Sequence, residues 1–148
     1  MLIETLRTLF NRDLNRLRSE IEQYKNEADI WKIDGQIKNS AGNLCLHLVG
    51  NLNTYIGKKL GNTGYVRNRD LEFSLKDVPK KELIEKIDAT VAMINQTFES
   101  LDEKTLSAEY PVLVFDEITS TEFLMVHLTT HLTYHLGQIN YHRRLIEK

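Results

Sequence analysis

Apolar residues recur every three or four positions over most of this chain. Leu2, Leu6, Leu9, Phe10, Leu14, Leu17, Ile21 and Tyr24 keep that spacing with Arg, Glu and Asn between them. This is the pattern of an amphipathic helix with one buried stripe, and it predicts a first helix ending near Ala28. Asp29–Asn39 reads as a loop, with Trp31 packed beneath it. Ser40 is placed to cap a second helix that runs to about Leu60 and stops at Gly61. Its apolar arc is Leu44, Leu48, Leu52, Tyr55 and Ile56, and Gly42, Gly50 and Gly57 leave room for close neighbours. The segment from Gly61 to Asp77 reads as a long polar connection. Pro79 opens a third helix over Lys80–Ser100, and Leu83, Ile84, Ile87, Val91, Ile94 and Phe98 form its core face. The following stretch to Ser120 is irregular, with Tyr110–Phe115 as an extended cross-over segment. Ser120 or Thr121 caps a last helix over Thr121–Lys148. Four helices with two longish connections predict an all-α four-helix bundle, as one domain over residues 1–148.

Composition narrows the class. The net charge is −2 with both signs interspersed, and no basic stripe marks a nucleic-acid partner. No apolar run approaches the roughly 20 residues of a membrane span. The start lacks the basic region and apolar run of a signal peptide. One cysteine, Cys45, forms no internal disulfide. These features predict a cytoplasmic protein with neither nucleic acid nor membrane among its partners.

Chemistry concentrates in the last helix. Four of the five histidines lie there, as His127, His131, His135 and His142. A four-residue step advances only about 40° around a helix, so the first three share a narrow stripe, which Gln138 and His142 continue. Leu128, Leu132, Leu136 and Ile139 fall beside that stripe, so the imidazoles stand at the edge of the core face. Imidazoles four residues apart can chelate one metal ion. No Glu follows the first His of any pair, so the helix lacks the His-Glu-x-x-His motif of zinc proteases. On the second helix His47 sits at the edge of the apolar arc, between Asn43 and Asn51. His47, His131 and His135 form the candidate site. Three ligands leave one position open, as in catalytic zinc sites. Zinc or nickel is the expected ion, but nitrogen ligands alone also accept iron(II) and copper and do not choose among them. The bland alternative is a set of half-buried histidines bonded to their neighbours. His127 and His142 are kept outside the ligand set and, with Asn51 and Gln138, are candidates for orienting ligands or lining a pocket. Cys45 lies about 200° around the helix from His47 and reads as a small buried hydrophobe. The charged run Arg67-Asn-Arg-Asp-Leu-Glu72 reads as a solvated loop, with anion binding as the alternative.

The segment His131-Leu-Thr-Tyr-His135-Leu-Gly-Gln138 resembles the last-helix signature of the DinB/YfiT-like superfamily, His-x-x-x-His-x-Gly-Gln. Leu44-Cys-Leu-His47-Leu resembles that superfamily's second-helix histidine motif, and Trp31 in the preceding loop fits as well. The commoner form has Arg directly after the second His, where this chain has Leu136. The resemblance implies a four-helix bundle, metal binding by His47, His131 and His135, and homodimers. It also implies a small-molecule substrate, with a low-molecular-weight thiol as the candidate for S-transfer to electrophiles. A metal-dependent hydrolase and a non-catalytic metal-binding or stress-related scaffold are the alternatives.

Overall fold

Leu6, Phe10, Leu14, Leu17 and Ile21 are all buried, so the first apolar stripe faces a core along its length. Each such side chain contributes about 1.5–3 kcal/mol relative to an exposed one. The computed structural model describes residues 1–148. Six α-helices are present: α1 (Leu2–Gln23), α2 (Ala41–Leu52), α3 (Arg69–Ser74), α4 (Lys80–Glu99), α5 (Glu103–Ser107) and α6 (Thr121–Ile146). A 3₁₀ turn covers Glu27–Trp31, and a π turn continues α2 over Asn53–Lys58. α1 packs against α4 and α6, and α2 packs against α3, α4 and α6.

The fold is all-helical, but the expected count of four helices is corrected to six. The two additions are short and lie within segments read as connections. Asn68 caps α3 by accepting from the Leu71 amide, and Asp102 caps α5 by accepting from the Thr105 amide. Helices of six and five residues carry too few turns to show a periodicity, so only their caps betray them. The first helix ends at Gln23 rather than near Ala28, and Trp31 closes the 3₁₀ turn that follows. Tyr110–Phe115 forms no strand. Glu109 and Ser120 make an isolated antiparallel bridge that folds the chain back to the start of α6. There Ser120 caps α6 by accepting from the Phe123 amide.

Every residue of α2 is buried. Its apolar arc alone does not explain this; its polar side is covered by α3. The Asn43 amide donates to the carbonyls of Glu72 and Leu75, 2.9 Å in each case. The Trp31 ring lies so close to Gly42 that a Cβ there would sit 2.6 Å from it. α6 is tied to α1 by polar pairs: Thr133 donates to Asp13 at 2.6 Å, and Arg143 donates to Glu20 at 2.8 Å. No helix is long and apolar enough to cross a membrane.

Candidate metal centre

α2 and α6 pack side by side, which sets His47 opposite His131 and His135. One nitrogen from each of the three imidazoles lies within 4.8 Å of the other two. His47 Nε2 is 3.2 Å from His131 Nε2. A tetrahedral ion with Zn–N bonds of about 2.0–2.1 Å separates its nitrogens by about 3.3 Å, so this pair already has a chelating separation. The three side chains therefore fit a metal ion, though their chemistry does not choose among zinc, nickel, iron and copper.

The ring orientations are set from outside the cluster. His47 Nδ1 lies 3.1 Å from Glu72 Oε1. Arg67 Nη2, which only donates, is farther from the same nitrogen at 3.4 Å; the nearer carboxylate only accepts, so Nδ1 carries the proton and Nε2 offers its lone pair to the cluster. Arg67 grips the same carboxylate through Nε at 2.8 Å and Nη2 at 3.0 Å. Burial alone would raise the Glu72 carboxyl. The hydrogen bonds from His47 and Arg67, with the Arg67 charge, outweigh burial and hold it below the usual carboxylate value. On α6, His135 Nδ1 is 2.7 Å from Gln138 Oε1, which fixes its proton in the same way. Partners of this kind orient metal-binding imidazoles and raise their basicity. His131 has no such partner, and its Nδ1 is buried without a hydrogen bond. Burial, then the proximity of His135 and His47, lowers His131 to about 4. Burial also lowers His135. At neutral pH both imidazoles are in the neutral form that binds metal.

The other sequence candidates fall in three places. His127 is half-buried beside the cluster, stacked 6.4 Å from His131 and edge-on to Phe115. Asn51 is buried one turn after His47, and its amide oxygen lacks a partner. His142 lies in a separate bonded chain. Its Nε2 donates to the Lys32 carbonyl at 2.7 Å, and Tyr24 donates to its Nδ1 at 2.6 Å. Both ring nitrogens are engaged, so His142 pins α6 to the segment after the 3₁₀ turn. Cys45 is fully buried, and burial pushes its thiol up to about 12.

Glu72 and Arg67 are what sequence reasoning missed. The solvated-loop reading is corrected: Glu72 is buried against α2 and Arg67 is half-buried above it. Asn68 followed by acids at 70 and 72 was the available helix-start signal. Nothing in the spacing said that the second acid would turn inward.

Two cavities meet the cluster. One of about 210 Å³ is bordered by His47, Asn51, Tyr55, Arg67, His127 and His131. The other, a cleft of about 640 Å³, has His135 and Gln138 in its wall and extends between Leu44, Tyr134 and Tyr141.

Fold and site together define an all-helical protein whose three-histidine cluster can hold a metal ion. The chain belongs to the family described as "Protein of unknown function (DUF1572)", whose sequence profile matches residues 2–148. No curated protein matches the sequence.

Proposed function

We propose that this protein is a DinB/YfiT-like, metal-dependent S-transferase that joins a low-molecular-weight thiol to a small electrophile. The observation behind the reading is the convergence of three imidazoles from α2 and α6, two of them oriented by Glu72 and Gln138. The superfamily assignment draws support from the four long helices and from His47 meeting the His131–His135 pair. A divalent ion held there would supply Lewis acidity and lower the pKa of a thiol or water bound to it.

The residues of the chain have definite tasks under this reading. His47, His131 and His135 hold the ion, Glu72 and Gln138 fix two of their tautomers, and Arg67 keeps Glu72 ionised. The two cavities favour transfer over hydrolysis, because each side of the cluster has room for one reactant. In the reaction the thiol sulfur bonds to the electrophilic carbon as the leaving group departs with its electron pair. The thiol proton goes to His127, the imidazole on the smaller cavity's wall outside the ligand set. An exposed stripe on α6, with Phe123, Tyr134, Tyr141 and Leu145, supports the homodimer that completes the proposal. A cytoplasmic, reducing location agrees with the single buried thiol.

The test has two stages. Purified wild type is compared with the His131→Ala/His135→Ala variant for bound zinc, nickel, iron and copper; equal contents would remove the site. Conjugation of an activated aryl chloride is then followed over a panel of thiols, with metal added and chelated. Metal binding without metal-dependent turnover would leave a non-catalytic metal-binding protein.

A further inference from the structure

Two arginines border the smaller cavity, and the structure uses them differently. Arg67 is committed to Glu72 through two hydrogen bonds. Arg69 makes no ion pair, and its guanidinium lies over the Phe73 ring, 5.4 Å from the centroid. Stacking on one face leaves the in-plane N–H groups free to donate. The ten residues that border the cavity include no carboxylate. Glu72, the acid of this region, is turned to His47 and Arg67.

Asn51 supplies an independent sign of a missing ligand. It borders the same cavity, only 8% of it is exposed, and its amide makes no hydrogen bond: the oxygen is sealed from solvent, which leaves the NH2 as the end that can donate to a guest. Buried amides are nearly always satisfied, so an unmet one beside a cavity marks a place for a hydrogen-bonding guest. The cavity is about 210 Å³. That is room for one compact polar group together with a few waters.

We infer that this cavity is an oxyanion subsite, in which Arg69 receives the carboxylate or phosphate of a small-molecule substrate and Asn51 bonds its neighbouring polar group. The subsite adjoins His47 and His131, so an anion held there has its remaining atoms at the cluster. Naming it as part of the substrate rests on the transferase reading; the anion binding itself needs no metal.

The experiment titrates metal-free and zinc-loaded protein with lactate and with inorganic phosphate at constant ionic strength, followed by amide and guanidinium nuclear magnetic resonance. The expected result is saturable shifts at Asn51 and Arg69 in both forms. Arg69→Gln should weaken binding about tenfold, the loss of one charge-assisted hydrogen bond, and Arg69→Lys should restore part of it. The tighter of the two anions identifies the group. Arg69 is exposed, and the same spectra report that each variant is folded. Binding by metal-free protein alongside a failed metal analysis would keep the subsite and discard the transferase. Three outcomes overturn the inference: no saturable shift with either anion, binding that requires zinc, or binding that ignores Arg69→Gln.

Discussion

Gly50 lies directly beneath the carboxylate of Glu72, and a Cβ at residue 50 would overlap it. The glycine on α2 thus makes the space into which an acid from α3 is buried, one turn from the histidine that acid orients. Gly50→Ala is expected to push Glu72 away from His47. Zinc affinity, read by competition with a chromophoric chelator, should fall about 10–100-fold, the usual effect of losing such a partner. Overpacking should also lower stability by about 1–3 kcal/mol in urea denaturation. Glu72→Gln, which preserves shape, should lower zinc affinity with a smaller loss of stability.

His127 gives a contrasting expectation. It stands outside the three-nitrogen cluster yet on the wall of the cavity beside it. His127→Gln should leave bound metal at the wild-type level and lower the conjugation rate about 10²–10⁴-fold, the range for a lost general base. Loss of metal in this variant would move His127 into the ligand set.

His142 should matter for stability and not for metal. His142→Ala leaves the Tyr24 hydroxyl and the Lys32 carbonyl without their buried partner. At about 1–3 kcal/mol for each unsatisfied group, the combined cost is about 2–6 kcal/mol in chemical denaturation. Metal content measured on the remaining folded protein should not change.

Acid sensitivity should trace in part to Asp13. Burial alone would raise its carboxyl, but hydrogen bonds from Arg12 and Thr133, with the charges of Arg12 and Arg16, hold it below the usual value. A carboxyl lowered in the folded state adds stability above its unfolded pKa and loses it as pH falls through the folded one. The wild type should therefore lose more stability than Asp13→Asn between neutral pH and acid, measured by urea midpoints across that range. Parallel curves for the two proteins would show that the α1–α6 tie is not pH-linked.

Cys45 should be silent in the native state. Its thiol is buried and pushed up to about 12, so almost no thiolate is present or reachable at neutral pH. A chromogenic disulfide reagent should react with the unfolded chain at once and with native protein only as fast as it opens.

The long helices were legible because each repeats its apolar spacing over many turns, and the histidine stripe was legible because it rides on that repeat. His47 could be singled out by its place at the edge of an arc. What the apolar spacing does not encode depends on contacts between segments. Glu72 lies 25 residues after His47, on a six-residue helix whose inward turn is decided by the gap at Gly50 and by the Asn43 side chain. His142 continued the stripe in projection, yet the Lys32 carbonyl and Tyr24 hydroxyl hold it elsewhere. A single-helix projection places a side chain on a face; only the neighbouring chain decides what it bonds.

His47 and His131 are 84 residues apart in the chain. An ion shared between them would work as a removable clasp, closing a loop that spans more than half the protein. Crosslinks over loops of that length restrict the unfolded chain strongly. The melting temperature should then climb with metal concentration, and a chelator should loosen the C-terminal helix before it touches the pairing of α1 with α4.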